Sequence, residues 1–283
     1  NTWVQVGSDI DGEAAGDNSG RSVSLSSDGN VVAIGSLLAS EDSSGHVRIY
    51  QNVNNTWVQV GSDIDGEDAN SFSGRSVSLS SDGNVVAIGA DWNDGSGTDS
   101  GHVRIYKNVN NTWTQVGSDI DGAAGDGSGY SVSLSADGSI VAIGGSGNEP
   151  IRIYKNVNNT WTQVGSDIDE DAQTSWVSLS SDGSIIAIGD RRRGENASGL
   201  VRIYKNINNV WTQVGSDIYG EAAGDNSGRS VSLSADGNVV AIGALYNDEN
   251  GEDSGHVRIY QINSNSVNVI NGTAAQVIET LKS

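Results

Sequence analysis

Short runs of alternating and of continuous apolar residues follow one another along the chain, in an order that returns five times. In the second unit, residues 76–80 alternate polar with apolar, residues 85–90 are almost wholly apolar, and residues 102–107 alternate again. Alternation is typical of a strand with one buried face, and a continuous apolar run is typical of a strand covered on both faces. Each unit therefore predicts at least three consecutive β-strands.

Two turn signals separate the strands in every unit. An Asp-Gly pair follows the first strand, and glycine tolerates the positive φ that a tight hairpin requires. A polar N-x-N-N stretch follows the third strand and precedes a fourth strand, which contains a tryptophan. These tryptophans recur about every fifty residues, at Trp3, Trp57, Trp113, Trp161 and Trp211.

A period near fifty residues with four strands per unit predicts an all-β fold, a five-bladed β-propeller with four antiparallel strands in each blade. We name the strands of a blade A, B, C and D, from the axis outward. One small sheet cannot bury both of its faces alone, so the units are expected to pack side by side in a ring. The predicted propeller spans residues 1–262, and residues 263–283 form a tail, a linker or the start of another domain.

Closure of the ring has two solutions. The chain opens on an isolated D strand, residues 2–6, and the fifth unit lacks a tryptophan strand after Tyr260. We expect the N-terminal strand to join the fifth blade and to close the ring, because closure removes exposed sheet edges. Residues 266–270 compete for the same position; if they fill it, the N-terminal strand belongs to a missing blade. The tail then predicts a short helix over 274–281, capped by Thr273.

Charge and composition restrict the partners. The chain has 36 acidic and 15 basic residues, a net charge of −21, and neither Cys nor Met. Such a surface repels nucleic acid and anionic lipid, and no apolar run is long enough for membrane insertion. The absence of Met indicates a piece of a longer protein. The acidic, cysteine-free composition favours a secreted or cell-surface protein.

The repeated block resembles the FG-GAP repeats of the integrin α-subunit propeller. The shared features are a Gly before an S-V-S strand A, a V-A-I-G strand B and a G-x-V-x-I-Y strand C, which residues 19–50 show in the first unit. The resemblance covers almost the whole chain, from residue 3 to residue 260. The resemblance implies an extracellular recognition platform. Integrin-type repeats often place a calcium loop between strands A and B, whereas the connection here is S-S-D-G-N with one carboxylate. That calcium site therefore does not carry over.

Variation between the units is concentrated in two loops of each blade. The A–B and C–D turns hardly change, whereas the D–A and B–C loops, which emerge on one face of a propeller, differ in length and content. Loops on a rigid frame commonly carry function, and arginine and aromatic residues are common anchors of interfaces. Local packing is the competing explanation. The candidate partner-binding residues are Phe72, Trp92, Tyr130, Trp176, Arg191, Arg192, Arg193 and Tyr246. Tyr130 and Trp176 stand where other units have the arginine of S-G-R-S.

The D–A loops are rich in carboxylates, which are chemically suited to calcium. The candidate ligands are Asp9, Asp11, Glu13, Asp17, Asp63 and Asp65. The alternative is that these side chains cap turn amides in each loop. Three histidines, His46, His102 and His256, begin strand C of their units, and equivalent positions on different blades are too far apart to share one metal.

We therefore expect a non-catalytic interaction or adhesion module of a larger repeat protein, with no required cofactor. Its partner at the D–A and B–C face is a protein, a glycan or another copy of the chain. A lectin-like propeller and a structural repeat of a sheath or filament are alternatives. A glycosidase is disfavoured, because its paired carboxylates would be unique among the blades, whereas strand A is serine-rich and nearly identical in all of them.

Overall fold

The computed structural model describes residues 2–39, 42–147, 150–168, 173–263 and 266–269. These residues form five small antiparallel sheets, each with strands A to D in chain order. The predicted five-bladed, all-β architecture is confirmed. None of the helices in the described part of the chain is long and apolar enough to cross a membrane.

Each blade repeats the same order of strands. The first blade contains β1 (Ser19–Leu25), β2 (Val31–Ser36), β3 (His46–Val53), β4 (Thr56–Gln59) and the short β5 (Ile64–Asp65). The second contains β6 (Ser76–Leu79), β7 (Val85–Ala90), β8 (His102–Val109), β9 (Thr112–Gln115) and the short β10 (Ile120–Asp121). The third contains β11 (Ser131–Leu134), β12 (Ile140–Gly144), β13 (Arg152–Val157) and β14 (Thr160–Gln163). The fourth contains β15 (Ser175–Leu179), β16 (Ile185–Asp190), a 3₁₀ turn (Glu195–Ala197), β17 (Leu200–Ile207), β18 (Val210–Gln213) and β19 (Ile218–Tyr219). The fifth contains β20 (Ser227–Leu233), β21 (Val239–Ala244), β22 (His256–Asn263) and β23 (Ser266–Val269).

In the invariant turns, polar side chains form hydrogen bonds to other groups of the same turn. In the first A–B turn, the Asp28 carboxylate accepts hydrogen bonds from the Ser26 hydroxyl at 2.7 Å and from the Asn30 backbone N–H at 3.0 Å. These bonds lower the pKa of Asp28 to about 2. In the C–D turn, Asn54 and Asn55 both have positive φ, as a type I′ hairpin demands. The repeated sequence therefore encodes hairpin geometry locally.

The core is divided among the junctions between successive blades. At the first junction, Val47 and Ile49 of strand C pack with Val77 and Leu79 of the next strand A. Equivalent apolar clusters fill the other three junctions. Hydrogen bonds follow the same contacts: the Leu79 N–H donates to Ser24 Oγ at 2.9 Å, with a counterpart at each later junction. Each blade is thus completed by its neighbour.

The predicted closure by the N-terminal strand is not what the structure shows. Ser266–Val269 pairs with strand C of the fifth blade, with Tyr260 opposite Val269. The fourth position of that sheet is therefore occupied by residues assigned to the tail, and residues 2–6 form no strand. The predicted helix over 274–281 lies outside the described residues.

The first and fifth blades expose the faces that the other junctions bury. Val23 of the first strand A is 65 % exposed, whereas its counterpart Val77 is 9 % exposed. On the fifth blade, Val257 is 67 % exposed, whereas the equivalent Val103 is fully buried. The described residues thus contain four blade junctions, and the space between the first and fifth blades opens to the axis.

Candidate binding site at the axis

The D–A and B–C loops lie against one another on one edge of the blades. The Leu38 N–H, in a B–C loop, donates to the carbonyl of Asp17, in the preceding D–A loop, at 3.2 Å. In the fifth blade the Tyr246 N–H makes the same bond to the Asp225 carbonyl at 3.3 Å. The two variable loop sets therefore share one face, which we call the variable face.

A cavity of about 700 Å³ lies at the axis, among the A strands. Its lining includes side chains from the beginning of strand A in every blade: Arg21, Arg75, Tyr130, Trp176 and Arg229. Three arginines are thus gathered at the centre of a chain whose net charge is −21. Focused positive charge in a cleft attracts anionic groups.

The register of Trp176 differs from the one that the sequence suggested. Trp176 pairs with Gly189, whereas Ser22 pairs with Gly35 in the first blade. Trp176 therefore stands at a serine position rather than at the arginine position. The prediction that it replaces the arginine was wrong, although the ring reaches the cavity. Tyr130 does occupy the arginine position, because it precedes Ser131, the partner of Gly144.

Aromatic rings and guanidinium groups form one connected cluster beside the cavity. The Tyr130 and Trp176 rings meet nearly edge to face, with centroids 5.2 Å apart. The Arg75 guanidinium lies 4.6 Å from the Tyr130 centroid, and those of Arg229 and Arg191 lie 5.5 and 5.7 Å from the Trp176 centroid. Such contacts are each worth about 0.5–1 kcal/mol at exposed sites and more when desolvated. We call Arg75, Tyr130, Trp176, Arg191 and Arg229 the axial cluster.

A buried carboxylate lies behind this cluster. Asp91 is 1 % exposed, and neither of its carboxylate oxygens accepts a hydrogen bond from the described residues. Burial raises its pKa to about 6, against the opposing effect of the Arg75 and Arg21 charges. The nearest cation is Arg75, with 3.7 Å between its Nε and Asp91 Oδ2. The ionised Asp91 carboxylate pairs with an arginine of the cavity, but its burial lowers the stability of the folded state.

A second aromatic pair lies on the variable face outside the cavity lining. The Phe72 and Trp92 rings are 5.4 Å apart, and Trp92 is half exposed. Phe72 has φ of 54°, a left-handed conformation that other blades give to Asn18 and Asn226. A bulky residue there costs roughly 1–2 kcal/mol. Backbone strain of this kind clusters at functional sites.

The remaining predicted anchors lie farther out on the variable face. Tyr246 and Arg192 are exposed, and Arg193 is half-buried. The Arg192 backbone N–H donates to Asp190 at 3.0 Å, so the basic run begins on an anchored turn. The structure therefore brings Tyr130, Trp176 and Arg191 together, and leaves the other candidates as separate features of the same face.

Comparison with known proteins identifies the repeat. Residues 219–260, which include strands A to C of the fifth blade, match the FG-GAP repeat family. The fifth blade is an FG-GAP repeat. The other four units have the same strand order and the same turns, so the chain is a repeat protein built on one blade pattern. No curated protein sequence matches the chain.

Solved structures similar to this propeller have varied functions. A 6-phosphogluconolactonase-like protein from Bacteroides fragilis is 12 % identical, with a TM-score of 0.60 over 87 % of this chain and 68 % of the other. Hydrazine synthase from Kuenenia stuttgartiensis is 14 % identical, with a TM-score of 0.56 over 95 % and 67 %. TolB from Acinetobacter baumannii is 16 % identical, with a TM-score of 0.52 over 87 % and 55 %. At these identities the likeness supports the propeller fold alone.

The carboxylates predicted as calcium ligands differ from one another in their surroundings. Asp17 is buried and accepts the backbone N–H groups of Glu13 and Ala14 at 3.0 and 2.7 Å, which is the turn-capping role. Asp9 accepts a hydrogen bond from the Gln5 side chain at 2.8 Å.

Two others of this set lie together. Glu13 and Asp63, from successive D–A loops, approach His46, and the possible ligand atoms lie within 4.8 Å of one another. Asp11 and Asp65 contribute backbone carbonyls that accept hydrogen bonds from Arg48 and Arg104.

Sequence reasoning missed the arginines of the axial cavity. Arg21, Arg75 and Arg229 recur in S-G-R-S, and recurrence was interpreted as a property of the frame rather than of a site. The signal was present nevertheless, because a charged residue that recurs at the start of an inner strand must converge on the axis of a propeller.

Proposed function

We propose that this propeller is a non-catalytic interaction module of a larger secreted or cell-surface protein, and that a partner protein binds its variable face. The partner would insert a carboxylate-bearing side chain into the axial cavity. The observation that carries the proposal is the axial cluster, in which three arginines and two aromatic rings contact one another beside a cavity of about 700 Å³.

The chemistry of the cavity supports binding of an anion. Guanidinium groups pair with carboxylates through two parallel hydrogen bonds, and aromatic faces bind the apolar part of an inserted side chain. Arginine and aromatic residues dominate interface energetics when they cluster at the centre of an interface. The axial cluster has this arrangement, and the strained Phe72–Trp92 pair offers a second anchor on the variable face.

The cavity does not offer the residues of a glycosidase. Two carboxylates must face the same bound sugar in that reaction, and the described lining residues include neither Asp nor Glu. Asp91 lies behind Arg75 and is buried, which removes it from contact with a ligand. A binding role is therefore better supported than hydrolysis.

Selection of peptides on the propeller tests the proposal. A random phage-displayed peptide library would be panned on the immobilised protein, and the enriched peptides would be synthesised and measured by calorimetry. We expect acidic peptides whose affinity falls at least about 30-fold with Arg75→Ala or Trp176→Ala, which corresponds to about 2 kcal/mol. The control Asn110→Gly alters a C–D turn and preserves its positive φ, so it should leave the affinity unchanged. Peptides that bind all variants equally would contradict the proposal.

A lectin-like function has one observation in its favour. Equivalent grooves occur at two junctions, one of about 300 Å³ beside Trp113 and Tyr106, the other of about 550 Å³ beside Trp161 and Tyr154. Each groove combines aromatic rings with Asp and Asn side chains, a chemistry that suits sugars. However, Trp113 Nε1 donates to the Val60 carbonyl at 2.8 Å and its ring packs on the core, so the tryptophan has a structural role. A glycan array read with wild type and Trp113→Ala separates the two functions.

A further inference from the structure

The histidines that begin strand C lie beside carboxylates from two different loops. His46 meets Glu13, from the D–A loop that enters the first blade, and Asp63, from the loop that leaves it. His102 meets Glu67 and Asp119 in the same way in the second blade. In each trio the possible ligand atoms lie within 4.8 Å of one another. The grouping therefore recurs at two places related by the repeat.

His46 and His102 are buried beside these carboxylates. His46 is 4 % and His102 is 2 % exposed. Their Nδ1 atoms lie 3.9 and 3.8 Å from the Oδ2 atoms of Asp63 and Asp119, too far for hydrogen bonds. His46 Nε2 is also buried without a partner among the described residues. An imidazole that is more than nine-tenths buried and faces a carboxylate at this distance leaves room for a bridging atom.

The third and fourth blades show what these carboxylates contact when the histidine is missing. Pro150 and Leu200 occupy the histidine position there. Arg152 Nε lies 3.4 Å from Asp167 Oδ2, and Arg202 Nη2 lies 2.9 Å from Asp217 Oδ2. The aspartate of this position thus has a cation partner in those blades.

In the first two blades the arginine contacts the glutamate instead. The equivalent Arg48 and Arg104 lie 3.4 and 3.1 Å from Glu13 and Glu67. Among the described residues, the basic group paired with Asp63 and with Asp119 is therefore a histidine. Among the described residues, Asp119 thus has no arginine partner of the kind that Asp167 and Asp217 have.

One oxygen of each carboxylate contacts a neighbouring side chain that fixes its position. The second oxygen is left to bind a ligand. Asp63 Oδ1 accepts a hydrogen bond from Gln59 Nε2 at 2.5 Å, while its Oδ2 faces His46. Asp119 and Gln115 repeat this arrangement. Glu13 Oε1 contacts Arg48, whose Nη2 also donates to the Asp11 carbonyl at 2.8 Å. Groups that hold ligating carboxylates in this way are typical of metal sites in proteins.

We propose that Glu13–His46–Asp63 and Glu67–His102–Asp119 each bind one divalent transition-metal ion, with zinc as the best match. One neutral imidazole nitrogen and two carboxylate oxygens are a zinc donor set, with a fourth position open to water. Calcium takes six to eight oxygen ligands, so these trios do not suit it. The carboxylates come from loops on either side of one blade, and the metal would tie successive D–A loops to strand C. A third trio, Glu221–Glu249–His256, is more exposed and should bind more weakly.

Calorimetric titration of the tag-free, chelator-treated protein with zinc chloride tests the stoichiometry. We expect two sites of micromolar or tighter affinity. His46→Gln should leave one of them, and His46→Gln with His102→Gln should leave neither. Asp63→Asn provides a second way to remove the first site if the histidine variant folds poorly. The matched control is Asp167→Asn in the third blade, which has no histidine and should retain both sites.

Two further readings distinguish a coordinated metal from zinc on an acidic surface. Cobalt(II) should give the intense visible absorption of a tetrahedral site, in proportion to the remaining histidines. Zinc should raise the Tm of the wild type and not that of the double variant, because binding to the folded state alone stabilises it. The proposal is overturned if the stoichiometry is the same in all variants, if zinc binds only in the millimolar range, or if calcium binds the two sites more tightly than zinc.

Discussion

Asp91→Asn should stabilise the protein, and the gain should depend on pH. Asp91 is buried beside Arg75, and burial raises its pKa from 3.8 to about 6. One unit of pKa corresponds to 1.36 kcal/mol, so the ionised form costs the folded state about 3 kcal/mol. Because the folded-state pKa is above the unfolded-state value, this cost is absent below about pH 4 and complete above about pH 6. The stability of wild type should therefore fall through this window relative to the variant.

Urea unfolding of both proteins at several pH values between 4 and 8 measures the effect. We expect the difference in unfolding free energy, variant minus wild type, to increase by about 3 kcal/mol between the two ends. Titration of every other group is common to both proteins and cancels in the difference. The intrinsic effect of an amide at this position cancels as well, since only the change with pH is used.

A second buried aspartate supplies the control. Asp190 is as buried as Asp91, but it accepts backbone hydrogen bonds from Gln173 at 2.8 Å and Arg192 at 3.0 Å. Asp190→Asn should lower stability, because an amide keeps only one acceptor oxygen and leaves one N–H unsatisfied, at about 1–3 kcal/mol. The reasoning on Asp91 is refuted if the difference in unfolding free energy does not change with pH. It is also refuted if the variant loses stability relative to wild type as the pH rises, because the ion pair with Arg75 would then outweigh desolvation.

Two other substitutions probe the open junction and the strained loop. Val77→Ala should lower the free energy of unfolding by about 1–3 kcal/mol, whereas Val23→Ala should lower it by less than about 0.5 kcal/mol, because only Val77 is buried. Equal losses would show that the exposed face of the first blade is covered in solution. Phe72→Asn places a residue that tolerates positive φ in the left-handed conformation, so it should raise the Tm slightly. The same change removes the ring contact with Trp92, so peptides selected on the variable face should bind the variant more weakly. Unchanged affinity for every selected peptide would show that this pair is not part of the binding surface.

The blade pattern could be predicted because its determinants are local. Alternation in strand A, the continuous apolar strand B and the Asp-Gly turn each act over a few residues. The Asp28 carboxylate and the positive φ of Asn54 and Asn55 show these local rules at work in the structure. Five copies of one pattern made the fold class a consistent inference rather than a sum of weak ones.

The fourth strand of the fifth blade was mispredicted, because a sequence typical of a D strand does not show which blade the strand joins. Residues 2–5 repeat the T-W-V-Q of residues 56–59, which favoured a D strand in the fifth blade. In the structure the Val6 carbonyl accepts a hydrogen bond from Trp57 Nε1 at 2.8 Å, as Val60 does from Trp113. The N-terminal segment therefore keeps the place of a D strand ahead of the first blade, which is not the place that closes the fifth.

The sequence by itself determined the strands, the turns, the number of blades and the face on which variation lies, since these depend on contacts between near neighbours in the chain. Only the tertiary structure decided the register of Trp176, the meeting of Arg75, Tyr130, Arg191 and Arg229 at the axis, and the grouping of His46 with Glu13 and Asp63. The physical reason is the same for all three. Most of these residues lie far apart in the chain, and packing of one blade against the next is what brings their side chains within reach.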